Sequence, residues 1–240
     1  MSERNFPSFS IGKFIRDKLL SGKCAICRER ADAENVCPAC DAALDVAERS
    51  IPVFTVMGRD GKLIKCAAAF TYEYDIVKKL VSILKKKYDK KLFMYSARRM
   101  LKAQASLGVK GKIMYVNVPR SSQGLRTHGF DQGRLLAECL SKMSDNAVYA
   151  NIVARRPFSG EQKKLSASER AENIRGKFRI KAIRTKLAGS AENIIIVDDV
   201  LTTGSSASEA FAVIAAAFPH AKIYGLFLSC TPRSVIRYKE

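Results

Sequence analysis

Acid is scarce in this chain of 240 residues: 23 Asp and Glu stand against 42 Lys and Arg, a formal net charge of +19. Tryptophan is absent and histidine occurs only twice. No stretch approaches the ~20 apolar residues that a membrane-spanning helix needs. The opening stretch MSERNFPSFSIGKFIRDKLLSGKC holds no continuous apolar core of the kind a secretory leader carries. These shortages predict a cytoplasmic protein without a membrane span. They also point to a polyanionic partner, because Lys and Arg facing phosphates gain from counterion release; RNA, DNA and phosphorylated metabolites all fit. Apolar residues make up 47% of the chain, enough for a globular core. At roughly 150 residues per domain the length predicts one or two domains.

Seven cysteines in a reducing compartment inform by their spacing rather than their number. Four stand as CAIC, Cys24 and Cys27, and CPAC, Cys37 and Cys40, with nine residues between the pairs. Each C-x-x-C sets two thiolates on one tight knuckle, and two knuckles together supply the tetrahedral sulfur set that zinc prefers. Two separate redox-active pairs are the alternative. With four protein ligands the zinc would have no open position for water. It would be structural, since about fifty residues bury too little surface to hold themselves together. Cys66, Cys139 and Cys230 lie in apolar surroundings and read as core residues.

After the knuckles, IPVFTVMGRDGKLIKCAAAFTYEY reads as two short strands about an RDG turn. DIVKKLVSILKKKY then changes period, placing Ile76, Val77, Leu80, Val81 and Leu84 on one helical face. From Lys85 to Arg126 twelve Lys or Arg meet the single acid Asp89, an excess of eleven. Such a run is either a solvated face or a nucleic-acid surface. Lys85, Lys86, Lys87, Lys90, Lys91, Arg98 and Arg99 are its candidates, with the Phe and Tyr of KKKYDKKLFMY interleaved for base stacking.

The second half alternates. KIMYVNVP, NAVYANIVA, NIIIVDDV and AKIYGLFLSC read as strands, and RLLAECLSKM and SASEAFAVIAAAF as helices. Strands apolar throughout, separated by helices, predict an α/β fold whose parallel sheet is covered by helices on both faces. Ligands in such sheets gather at the carboxyl ends of the strands. In IIIVDDVLTTGSSASEA the strand runs into Asp198 and Asp199, then into Thr202, Thr203, Gly204, Ser205 and Ser206 before a helix. The helix N-terminus and the hydroxyls suit a phosphate, and Gly204 allows close approach. The aspartates would repel that phosphate, so they address hydroxyls or a magnesium ion. A phosphate beside a vicinal diol describes a ribose 5-phosphate. Helix capping with solvated aspartates is the plainer alternative.

VDDVLTTGSS resembles the phosphoribosyl diphosphate (PRPP) signature of the type I phosphoribosyltransferases. With the four-cysteine knuckle, YEY and LKKKY, VPRSSQGLRTHGFDQGRLLA and RRPFSGEQKKLSASERAENIRGKF, residues 20 to 230 resemble the ComF or ComFC competence-associated family. The resemblance implies a type I phosphoribosyltransferase-like parallel sheet plus a small amino-terminal zinc-binding domain, divided as 1–50 and 51–240. It implies that Asp198 and Asp199 hold ribose hydroxyls, that residues 202 to 206 cradle the 5-phosphate, and that Arg120 and Ser121 belong to the diphosphate loop. A mobile lid is implied from Arg155 to Asn173, with Gln162, Lys163, Lys164, Arg170 and Asn173 as its candidates. Magnesium would accompany PRPP. The cellular role implied is DNA uptake with single-stranded DNA as partner, beside a DNA-uptake helicase or channel protein. A metabolic transferase acting on a small amine or nitrogenous acceptor is the alternative.

Two departures stand out. The family writes Arg-Gly-Phe-Asn-Gln where this chain has His128, Gly129, Phe130, Asp131 and Gln132, which leaves that corner less basic. The third position after Asp199, an aspartate base in purine-type transferases, is Thr202. No carboxylate in the loop is placed to deprotonate a purine nitrogen, so ammonia, an amine or a pyrimidine-like nitrogen is the expected acceptor if the chain turns over.

Overall fold

The computed structural model of the protein describes residues 22–31, 35–48, 53–156, 176–181 and 192–231. It opens on a two-stranded antiparallel ribbon, β1 (Gly22–Lys23) and β2 (Arg30–Ala31), which carries the first cysteine pair, followed by α1 (Pro38–Glu48). Next come the predicted hairpin, β3 (Phe54–Met57) and β4 (Leu63–Thr71), and the predicted amphipathic helix α2 (Asp75–Lys86). Val77, Leu80, Val81 and Leu84 of α2 are buried and Ile76 is half-buried. Asp89 then starts a second helix inside the basic run, α3 (Lys90–Ala105), by accepting the N–H groups of Lys91 and Leu92 at 3.1 and 3.2 Å.

β5 (Ile113–Asn117) leads into α4 (Ser122–His128), where a loop was expected, and α5 (Gln132–Met143). The stretch 146–154, expected as one strand, divides into β6 (Ala147–Tyr149) and β7 (Val153–Arg155). The physical reason is a tight turn: Ile152 N–H closes on the Ala150 carbonyl at 3.0 Å, and β7 leaves the sheet to pair with β8 (Phe178–Ile180). β9 (Asn193–Leu201), α6 (Ser205–Ala217) and β10 (Lys222–Cys230) complete the order.

The main sheet runs β3-β4-β10-β9-β5-β6. β4, β10, β9, β5 and β6 form the expected parallel sheet, and β3, from the hairpin, adds an antiparallel edge that makes the whole sheet mixed. Period-two alternation builds two buried layers. Ile195 and Val197 of β9 join α2, α3, α5 and the cysteine knuckles on one face; Ile194 and Ile196 join α6, Val153 and Phe178 on the other. Every parallel strand delivers its carboxyl end to the same edge, where Val118 N–H reaches the Val197 carbonyl and Thr231 N–H the Leu201 carbonyl, both at 3.0 Å.

Candidate functional site

β9 carries both aspartates inside the strand, so the alternation that sorts the core also separates them. Asp198 follows Ile194 and Ile196 to the α6 face and lines a cavity of about 110 Å³ with Val200 and residues 201 to 207. Asp199 follows Ile195 and Val197 to the opposite face. There its Oδ2 accepts from Gln132 Nε2 at 3.2 Å and pairs with Lys85 Nζ at 3.2 Å. Its Oδ1 takes the Val200 N–H at 2.9 Å. Asp198 Oδ1 takes only the adjacent Asp199 N–H among the bonds described, at 2.9 Å. Burial, and the charge of Asp199 beside it, push the Asp198 carboxyl well above the usual carboxylate range.

The loop after β9, residues 202 to 204, leads into α6 along the cavity. Gly204 takes φ +75°, a conformation a side chain resists, and stands as N-cap of α6 without a side-chain cap. Thr203 and Ser205 hydroxyls share a hydrogen bond of 2.9 Å, and Thr231 Oγ1 donates to the Thr202 carbonyl at 3.2 Å. The first-turn N–H groups of a helix have no intrahelical acceptor and carry the positive end of its dipole, and Ser205, Ser206 and Ala207 of that turn line the cavity.

Beyond β5 the loop of Arg120 and Ser121 is held from below. Asp131 accepts the Arg120 N–H at 2.9 Å and Asn117 Nδ2 at 3.2 Å on one oxygen, and the Arg134 N–H at 3.1 Å on the other, capping α5. Ser121 Oγ accepts the Gly124 N–H at 3.1 Å and caps α4. The Arg120 guanidinium donates to the carbonyls of Phe130 and Lys85 at 3.2 and 3.4 Å. It lies across Gly124, where a Cβ would stand 2.6 Å from its Nε. His128 closes α4 and hands over to Gly129 at φ +75°. Tyr149 OH donates to Asn117 Oδ1 at 2.8 Å.

Arg155 was read only as the start of a lid, yet it belongs to this edge: its Nε donates to the Pro119 carbonyl at 2.8 Å, and its guanidinium lies 5.0 Å over the Phe178 ring. Burial lowers its pKa, while the charges of Asp198 and Asp131 act to raise it. Asn117 carries no motif of its own, and Gln132 stood in the sequence only as the last residue of the run that the resembling family writes as Arg-Gly-Phe-Asn-Gln, with no role attached. The lid candidates Gln162, Lys163, Lys164, Arg170 and Asn173 lie outside the described residues.

The basic run divides. Lys86, Lys87, Lys90 and Lys91 are exposed about the α2–α3 turn, together with Arg98 and with Tyr88, which is 56% exposed. Tyr88 packs on Phe93 and Phe130 with centroids 6.1 and 6.4 Å away. Phe93 and Tyr95 are buried, so of the aromatics named for stacking they are withdrawn into the core. Arg99 is withdrawn as well: its side chain is 14% exposed and meets Asp45 at 2.6 Å, Glu48 at 3.1 Å and Asp41 at 3.7 Å on α1. Lys85 faces Asp199 rather than solvent alone.

The four knuckle cysteines converge, with all sulfurs within 4.8 Å of one another and Cys27 and Cys37 at 3.5 Å. Tetrahedral zinc thiolates stand about 3.8 Å apart, so the set fits one such ion. Cys37 N–H donates to Cys24 Sγ at 3.4 Å. Burial acts to raise the Cys24 thiol, but the backbone N–H groups of Cys27, Cys37 and Ile26 outweigh it and bring the pKa to about 6, while burial raises that of Cys40. Asn35 Nδ2 donates to both oxygens of Asp89, at 3.2 and 3.0 Å, tying the knuckle to the start of α3.

Fold and site together define an α/β protein with a four-cysteine knuckle and a glycine-hydroxyl loop lining a small cavity at its strand ends. Its relatives carry names of one kind. The chain is 26% identical over 192 residues, 78% of its length and 82% of the other, to the DNA utilization protein YhgH of Salmonella typhimurium. It is 33% identical over 81 residues, 34% of each chain, to competence protein F of Haemophilus influenzae, and 31% over 110 residues, 46% of each, to the YhgH protein of Escherichia coli K12. The last two alignments thus span less than half of those relatives. The resemblance to the competence-associated ComF proteins therefore extends to curated homologues at low identity. No protein-family model matches the chain. Among solved structures, adenine phosphoribosyltransferase from Saccharomyces cerevisiae covers 81% of this chain, and 91% of itself, at 15% identity and a TM-score of 0.34; a second adenine phosphoribosyltransferase scores 0.35 at 16% identity, covering 80% and 91%. Likeness at that level carries no functional argument. No helix among the described residues is long and apolar enough to cross a membrane.

Proposed function

We propose that this chain is a PRPP-binding, phosphoribosyltransferase-like protein that serves DNA uptake by holding single-stranded DNA on its basic α2–α3 face. One observation carries the reading: a half-buried carboxylate, Asp198, shares a cavity of about 110 Å³ with the glycine-hydroxyl loop and the amino end of α6. An acceptor for sugar hydroxyls beside a cradle for phosphate is the pairing this reading needs. In this reading residues 202 to 206 hold the 5-phosphate and Asp198 the ribose. The Arg120 loop takes the diphosphate once its guanidinium turns from the carbonyls it now meets. The knuckle holds structural zinc and the protein is cytoplasmic. The names of the relatives, competence and DNA utilization, support the setting. A helicase or channel of the uptake machinery is the proposed neighbour. A metabolic transferase using an amine acceptor is favoured by one feature, Thr202, which leaves the loop without a purine base.

Calorimetric titration of PRPP with Mg²⁺ tests the site. Saturable binding that is lost in Asp198→Asn is expected. Absence of binding to the unaltered protein overturns the reading and reduces the loop to helix capping.

A further inference from the structure

Asp199 is the acid that the sequence pairs with Asp198, and both were expected to address ribose hydroxyls or magnesium. The surroundings of Asp199 do not fit a divalent ion. Its carboxylate is 7% exposed and both oxygens are engaged: Oδ1 by the Val200 N–H, Oδ2 by the Gln132 amide and the Lys85 ammonium. A hard divalent ion seeks several oxygen ligands, whereas apart from the neighbouring Asp198 carboxyl the groups arrayed on Asp199 are N–H donors. Gln132 cannot supply an oxygen there, because the carboxylate turns its amide nitrogen inward and leaves its Oε1 buried without a partner. Lys85 is itself fixed by its backbone, whose carbonyl accepts from Arg120 Nη1 at 3.4 Å.

We propose that Lys85 is a positioning residue, the resident counter-cation of Asp199, and that the acid pair therefore takes no divalent ion. Asp198 alone meets the ligand, and any magnesium arrives on the diphosphate. Lys85 does for the second aspartate what a metal ion would do, from a helix end that also braces the Arg120 loop. The proposal rests on the ribose-phosphate reading for the identity of the ligand, but not for the state of the acid pair.

Manganese, as the metal alone, tests the pair without any sugar. Free Mn²⁺ is counted by electron paramagnetic resonance against the zinc-loaded full chain. The unaltered protein and Asp199→Asn are expected to titrate identically. Lys85→Met, which also frees the Gln132 amide to turn its unpartnered Oε1 toward Asp199, is expected to gain one site of about millimolar affinity, and Lys85→Met/Asp199→Asn to lose it again. An Mn²⁺ site in the unaltered protein that Asp199→Asn removes overturns the proposal, and so does a folded Lys85→Met variant that gains none. If Lys85→Met does not fold, the comparison of unaltered protein with Asp199→Asn still decides, with Lys85→Arg, which keeps the cation, expected to match the former. Ribose 5-phosphate titrated in magnesium-free and magnesium-containing buffer supplies the ligand arm. Equal affinity supports the proposal, and about a tenfold dependence on magnesium overturns it. If ribose 5-phosphate fails to bind in either buffer, the ribose-phosphate reading falls, while the manganese result still decides the role of Lys85.

Discussion

Asp131 occupies a position where the resembling family writes asparagine, and its surroundings show what the extra charge does. One carboxylate caps α5 and grips the Arg120 N–H and the Asn117 amide, so the acid stiffens the loop instead of repelling a phosphate. Asp131→Ala is expected to cost about 1 kcal/mol through the lost cap, read as a lower melting temperature, and to weaken PRPP in calorimetry. Asp198 makes the opposite kind of prediction. Its carboxyl is raised in the folded chain, so the native state holds that proton more tightly than the unfolded one. Stability from this group is therefore present at low pH and declines as pH rises from the ordinary carboxylate value, about 3.9, through the raised native one. Asp198→Asn should abolish that decline and raise the melting temperature at neutral pH by ~3 °C, about 1 kcal/mol, even as it loses the ligand. The aspartates themselves were legible in the sequence as a motif. That they face opposite ways was legible too, since they are consecutive in an apolar strand, but the side-chain partners Gln132 and Lys85 of Asp199 lie 67 residues and more away and leave no local trace.

Elements explain what the charge count concealed. The run from Lys85 onward was read as one surface, yet a helix distributes neighbours around its axis, and α3 turns Arg99 inward while Arg98 faces out. The clue lay on α1, where Asp41, Asp45 and Glu48 fall at helical spacing on one face and await a cation. Arg99→Ala takes a shared cation from three acids, of which Glu48 keeps Lys102 and Asp41 keeps the Tyr95 hydroxyl, and is expected to cost about 2 kcal/mol, less than for a fully buried pair because Asp41 and Asp45 are partly exposed. Chemical denaturation measures it, and a DNA affinity left within about twofold by the same variant would separate this role from a nucleic-acid contact. The strands and amphipathic helices were legible because periods of two and 3.6 survive in sequence. The departure of β7 from the sheet was not, because one turn at Ala150 decides it.

At the scale of the molecule the charge of +19 is the property a nucleic acid meets first. With Lys85 and Arg99 engaged internally, the exposed lysines Lys86, Lys87, Lys90 and Lys91 form the basis of the proposed single-strand grip. Fluorescence anisotropy of a labelled oligothymidine should then give an affinity that falls with salt on a log-log slope of about −3, from ~0.7 per phosphate contact. An affinity indifferent to salt contradicts the DNA role. The cysteine knuckle shares the core layer of α2 and α3, so chelating its metal should lower the melting temperature of the whole chain. One regularity of that junction reaches further. Asn35 meets Asp89, Asp41 meets Tyr95, and Asp45 meets Arg99, each pair 54 residues apart, so α1 and α3 lie alongside each other in constant register. A chain growing from its amino end therefore completes the cysteine knuckle well before its cradle exists. For the time it takes to synthesise those 54 residues the knuckle must persist on its four sulfurs and whatever they hold, with β4 and α2 reaching it first and α3 completing its junction last.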